Sequence, residues 1–146
     1  MAGAMLAAAS VIAQAPPQET TTQDPGEPMF TATCSKCHTP ERILAVRRTR
    51  TDWEGILEKM TKLGAPVTDE NYDTLMDYLL RRNGKVNINR ADSKEIALIV
   101  NLSAADADTI VRYRTDHGDF ADYDALAKVP GIDLKKLEQH RDAISY

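Results

Sequence analysis

Cys34-Ser35-Lys36-Cys37-His38 decides how this 146-residue chain is read, because it holds both of its cysteines next to one of its three histidines. A C-x-x-C-H run is the pattern of covalent haem attachment. Two thiols at this spacing can each add across a vinyl group of the porphyrin, and the adjoining imidazole is then delivered to the iron as proximal ligand. The competing readings are a disulfide, a thioredoxin-like redox pair and half of a zinc site. No second ligand pair exists for zinc, and the β-α-β pattern expected around a redox pair is missing. The motif therefore predicts one covalently bound haem c, with Cys34 and Cys37 as thioether donors and His38 on the iron.

On the amino-terminal side, residues 1–15 are small and apolar (Met5, Leu6, Val11, Ile12) and close with Ala13-Gln14-Ala15, the A-x-A pattern of an export-signal cleavage site. A basic segment ahead of the apolar run is lacking. The run is too short to cross a bilayer, and no other stretch approaches the roughly 20 apolar residues that a transmembrane helix needs. Haem is attached covalently on the far side of the cytoplasmic membrane, so signal and motif agree on a periplasmic or otherwise exported protein. Residues 16–28 (PPQETTTQDPGEP) are polar and proline-rich, and read as a disordered linker.

The ordered chain is expected to begin near Pro28-Met29-Phe30, with a helix that carries Phe30 inward, runs to the haem motif and is stopped by Pro40. Arg42, Arg47, Arg48 and Arg50 follow. Thr51 or Asp52 would cap the next helix, whose face of Trp53, Ile56, Leu57 and Met60 has helical spacing. Gly64 and Pro66 end it. A further helix opens at Thr68-Asp69-Glu70, turns Tyr72, Leu75, Met76, Leu79 and Leu80 inward, and closes at Arg81-Arg82-Asn83 with Gly84 as C-cap. Three short helices with an aromatic content of 5% make a thin core, which a porphyrin would fill.

Residues 29–84 resemble a class I c-type cytochrome domain. The matching pieces are C34-S-K-C-H38, R47-R-T-R-T-D-W53, Met60, Gly64-Ala65 and Tyr78-Leu79. The resemblance implies that His38 and Met60 are the two axial ligands. Met60 suits the role from its place before a glycine turn, whereas Met76 lies among core leucines and Met29 precedes the motif. The bland alternative is that Met60 simply fills the core. A His–Met pair raises the reduction potential and leaves no open coordination position, which suits electron transfer and argues against an enzyme. Arg48 or Arg50 is a candidate for a propionate contact, against the alternative of a solvated charge run. Trp53 reads as pocket packing with its indole N–H available to a propionate, rather than as an electron relay.

From Lys85 onward the texture changes to short helices joined by tight turns, with Ile96, Ile99, Val100, Ile110, Val111, Leu126, Val129, Ile132, Leu137 and Ile144 as the apolar set. The order V86-N-I-N-R-A, Y113-R-T-D-H-G-D-F120, D124-A-L-A-K-V-P-G-I-D133 and K135-K-L137 resembles the tandem helix-hairpin-helix domain of ComEA-type competence DNA receptors. In that family a Gly-hydrophobic-Gly turn offers backbone N–H groups to a phosphate without reading sequence. Here the first turn aligns with Asn101-Leu102-Ser103 and the second with Gly131-Ile132-Asp133, where a carboxylate stands in place of a glycine. Residues 86–146 carry eight lysines and arginines against eleven aspartates and glutamates, a net of −3 in a chain of net −4. Non-specific DNA affinity comes largely from basic residues that release counterions, so an acidic hairpin unit is expected to bind weakly. The same fold resembles a docking module of an extrinsic lumenal protein of photosystem II, which binds no DNA.

The expectation is an all-α protein in two units, a three-helix cytochrome at 29–84 and a helix-hairpin-helix module at 85–146. It carries electrons and docks on a periplasmic redox protein or membrane-complex partner. DNA binding is the alternative, with Gly131, Lys128, Lys135 and Lys136 as the contacts to DNA or partner. His117 and His140 are expected to be surface or capping residues.

Overall fold

The computed structural model describes residues 24–146. The export-signal reading of residues 1–15 lies outside these, as does the linker up to residue 23.

The first helix, α1 (Gly26–Cys34), takes in the last three residues of the segment read as linker. Asp24 is the cause. Its Oδ1 accepts the Gly26 amide at 2.9 Å, and both carboxylate oxygens take the Arg81 guanidinium at 2.8 Å. Gly26 lets the helix lie against the next long helix, because a Cβ there would stand 2.4 Å from Tyr78 Cβ. Phe30 is buried with its ring 5.1 Å from that of Tyr78.

The hydrogen bond from Arg81 holds the Asp24 carboxyl below its ordinary range. The pair therefore stabilises the fold above the usual aspartate value of about 4, and the contribution is lost as pH falls through the depressed value. Asp24→Asn is expected to lower stability by up to about 1 kcal/mol at neutral pH. The gap between variant and parent should narrow as pH falls below about 4 and through the depressed value, and thermal unfolding at neutral and acidic pH checks this.

The chain then makes a turn that holds the rest of the C-x-x-C-H run after Cys34 and enters α2 (Pro40–Ile43). Pro40 was expected to stop a helix. It starts one instead, at the first helical position where its missing N–H is no loss, behind a Thr39 cap. Helix α3 (Arg50–Lys62) begins two residues earlier than the spacing suggested, since Thr49 rather than Thr51 or Asp52 is its N-cap. Thr49 Oγ1 accepts the Asp52 amide at 3.2 Å while Asp52 Oδ2 accepts the Thr49 amide at 3.0 Å, a reciprocal pair that fixes the start. Helix α4 (Asp69–Asn83) buries Leu75, Met76, Leu79 and Leu80 as expected, but leaves Tyr72 half-exposed.

Gly84 follows α4 with φ −72° rather than in the left-handed conformation of a capping glycine. What needs the glycine is close approach. A Cβ would lie 2.4 Å from Leu80 O and 2.9 Å from Ile99 Cγ1.

The remainder is β1 (Val86–Asn87), α5 (Ser93–Val100), α6 (Ala104–His117), α7 (Tyr123–Leu126), α8 (Leu134–Gln139), a single 3-10 turn (Arg141–Ala143) and β2 (Ile144–Ser145). The expected all-α character holds except for one short parallel ladder, in which Val86 pairs with Ile144 and Asn87 with Ser145. Asn89 ties this unit together, donating to Phe120 O at 2.9 Å and accepting the Phe120 amide at 2.8 Å. Arg114 does the same from α6 by donating to Ile88 O and Ala91 O. The apolar residues of the two units form one continuous core, from Phe30 and Trp53 through Leu80 and Ile99 to Leu137 and Ile144.

Candidate functional site

Six residues singled out in the first unit, Arg48 among them, line one cleft. Cys34, Cys37 and His38 come from the end of α1 and the following turn, and Trp53 and Met60 from one face of α3, about two turns apart. The cavity measures about 310 Å³, and Ile43, Ile56, Leu57, Val67 and Leu79 supply apolar wall. This lies at the small end of the range for small-molecule sites, roughly 300–1,000 Å³. Met60 is the methionine the cleft uses. Met76 is fully buried in α4, and Met29 packs against the core.

Both thiols are free, Cys34 half-buried and Cys37 exposed. Burial pushes the Cys34 thiol above its ordinary pKa, so this sulfur is held as a neutral thiol at neutral pH. His38 is half-buried on the same cleft.

The arginine cluster divides. Arg48 lines the cleft, with its guanidinium carbon 5.7 Å from the centre of the Trp53 ring. Arg50, the other candidate for a propionate contact, is not part of the lining. Its Nε lies 3.7 Å from Glu95 Oε2 on α5, in the second unit. The difference follows from the helix start: with Thr49 as cap, Arg50 is already the first helical residue and turns away from the cleft. Burial is the main cause of the raised pKa of Glu95, which Arg50 only partly opposes.

Arg48 Nε and Trp53 Nε1 are both buried and have no hydrogen-bond partner. An unmade buried hydrogen bond costs roughly 1–3 kcal/mol. The two donors belong to residues that line one cleft, and an acceptor reaching them there would satisfy both. The charged side chains of the lining are Lys36, Arg42 and Arg48, all cationic. A group with two carboxylates, an apolar plane and attachment points for two thiols fits this donor set, and haem is such a group. Lys36 and Arg42 were not singled out from the sequence. Their signal was there, in the position of Lys36 inside the motif and of Arg42 one turn after it.

The turns of the second unit bear out the departures from the phosphate-binding pattern. Asn101 has φ 56°, so it adopts the left-handed conformation that a glycine would otherwise supply. Ser103 caps α6 by accepting the Asp106 amide at 3.1 Å. Gly131 has φ 80°, and Asp133 Oδ1 accepts the amides of both Lys135 and Lys136 at 3.1 Å. The two amides that would face a phosphate are thus already taken by a carboxylate of this chain. Lys128 and Lys135 are exposed beside the turn, and Lys136 is half-buried.

The two remaining histidines behave as expected. His117 ends α6, with its ring stacked 4.0 Å from that of Tyr113, and His140 is the C-cap of α8.

Residues 82–145 match the model of a family described as helix-hairpin-helix motif. A protein of Haemophilus influenzae (strain ATCC 51907 / DSM 11121 / KW20 / Rd), described as "Uncharacterized protein", is 40% identical over 63 residues. That stretch is 42% of this chain and 56% of the relative, so the match spans little more than half of the relative's length. No solved structure matches the chain. The carboxy-terminal half is therefore a helix-hairpin-helix unit, joined to a helical amino-terminal half that carries the cleft. Among the described residues no helix is long and apolar enough to cross a membrane.

Proposed function

We propose that this protein is an exported monohaem c-type cytochrome that transfers electrons and is docked to a periplasmic redox partner through its helix-hairpin-helix module. The observation that carries the reading is the convergence of Cys34, Cys37, His38 and Met60 on one cleft that also holds two buried donors without acceptors. Cys34 and Cys37 would hold the haem as thioethers, and His38 and Met60 would supply the side chains that ligate its iron. Arg48 and Trp53 would donate to a propionate. Bound in this way, the haem supplies a reversible one-electron change at its iron. The chain's own part is to fix the group, exclude water with the Ile56, Leu57 and Leu79 wall, and leave no coordination position open to a substrate. The reading is therefore not that of an enzyme.

The test is expression of the full chain alongside haem-attachment machinery. One covalent haem per chain is expected, with none retained covalently when both Cys34 and Cys37 are serine. A parent chain without haem under those conditions would overturn the reading.

A second reading, a DNA-binding cytochrome, is favoured by the match of residues 82–145 to the helix-hairpin-helix family and by Lys128, Lys135 and Lys136 beside the second turn. Against it stand the net charge of −3 and the capping of the turn amides by Asp133. Binding to duplex DNA weaker than micromolar is expected at about 0.15 M salt. Asp133→Gly frees the two amides and removes a negative charge at a helix start, and should tighten binding roughly two- to five-fold, the equivalent of 0.3–1 kcal/mol. Fluorescence anisotropy over a salt series checks both, and micromolar binding by the parent would put the DNA reading first.

A further inference from the structure

We infer that Arg47 and Asp142 are positioning residues for the Arg48–Trp53 anion seat, so that the hairpin module is a working part of the cleft and not only a docking appendage. The inference rests on the haem reading and deepens it.

The chain between α2 and α3 is sewn to the far end of α4 and to the second unit, residue by residue. Asn83 Nδ2 donates to Val46 O at 2.6 Å. Arg48 N donates to Asn83 O at 3.0 Å, and Lys85 N to Arg48 O at 2.8 Å, an isolated parallel bridge that fixes the backbone of Arg48. Arg47 crosses to the hairpin module, where its Nε donates to Asp142 Oδ2 at 2.7 Å while its Nη1 reaches Gly84 O at 3.3 Å. Successive residues in an extended backbone point to opposite sides. Holding Arg47 on the module side therefore holds Arg48 on the cleft side.

Asp142 belongs to the 3-10 turn that leads into β2, and β2 is paired to β1 directly after Lys85. The hydrogen bond from Arg47 keeps the Asp142 carboxyl below its ordinary pKa. This ion pair is largely exposed, with 26% and 69% of the two side chains accessible. Such a pair contributes little to stability and is screened by salt. Its consequence is directional: it selects which way a two-residue segment faces.

The experiment uses the full haem-loaded chain in four forms: parent, Arg47→Asp, Asp142→Arg and the charge-swapped double variant. Haem content is measured first, then the reduction potential as a function of pH, then hydrogen exchange at the Arg48 and Lys85 amides. Moving the Arg48 cation away from the haem favours the oxidised form, so each single variant should have a lower potential than the parent. The acid limb of its potential–pH curve should move to higher pH, because the propionate loses a charge partner. The two amides should exchange faster. The swapped pair should recover all three properties, and the differences among the forms should shrink as salt is raised.

Loaded chains with equal potentials, acid limbs and exchange rates in all four forms would overturn this inference and leave the proposed function standing. Single variants that change without recovery in the swap would overturn it as well, since the effect would then not pass through the pair. A parent chain that takes up no haem would overturn the proposed function and this inference together.

Discussion

Replacing Ile99 by alanine is expected to loosen both halves of the chain at once. Ile99 lies on α5, in the helix-hairpin-helix unit, and is 1% exposed. Its side chain fills the space that Gly84 leaves open at the end of α4, where even one added carbon would come within 2.9 Å. Cutting a buried isoleucine back to alanine costs about 2–5 kcal/mol, the transfer of the lost methyl groups plus the cavity that remains. Because the core runs unbroken from Phe30 to Ile144, that cost falls on a shared structure. Trp53, the single tryptophan, reports on the amino-terminal half, while ellipticity reports on all the helices. Denaturant unfolding followed by both signals should give one transition, displaced equally for both. A Trp53 transition that stays put while the helical signal splits into two steps would mean that the halves fold independently.

Met60→Ala is expected to produce the largest change in the redox behaviour of the loaded protein. On the proposed reading, removing the thioether would take from the iron the ligand that raises its potential and leave it open to other groups. Axial ligands command a range of about 0.8 V, so a fall on the order of 0.1 V or more is expected, together with a changed visible spectrum. Potentiometric titration of parent and variant checks it. An unchanged spectrum and potential would take Met60 off the iron and turn attention to a haem sensor or a peroxidase.

Much of the fold was legible because the helices are amphipathic and the turns are marked. The Trp53, Leu57 and Met60 face of α3 follows from spacing alone, and the apolar set named for the second unit is buried except for the half-exposed Val111, although Val86, Ile88, Leu102, Ala107, Phe120 and Ala143 are buried beside it. Boundaries were less legible. Thr49, Thr51 and Asp52 all qualify as caps, and only the reciprocal bond between Thr49 and Asp52 selects one. Pro40 reads as a stop or as a first helical residue with equal grammar, and the Thr39 cap decides it. The β1–β2 ladder has two residues per strand and joins positions 58 apart, too little periodicity to be seen locally.

At the cleft, the motif and Met60 were readable as a set, since each carries ligand chemistry in its own side chain. The division of labour among the arginines was not. Arg47, Arg48 and Arg50 differ in partner because of an isolated bridge and a helix start, both fixed by tertiary contacts. A close reading of the capping box T49-x-x-D52 would have put Arg50 into the helix and so away from the cleft.

The ladder between Val86–Asn87 and Ile144–Ser145 also sets an order of events during folding. Contacts that close a long loop form late, because the entropy of closure comes before any reward from pairing. The module's edge against the arginine segment is therefore completed only when Ile144 and Ser145 pair with Val86 and Asn87. Until then Arg47 lacks Asp142 and the segment beside the cleft is free to move. Under the proposed function the cysteines would thus be offered to attachment machinery in a looser chain than the folded one, and closing of the ladder would mark the end of that interval.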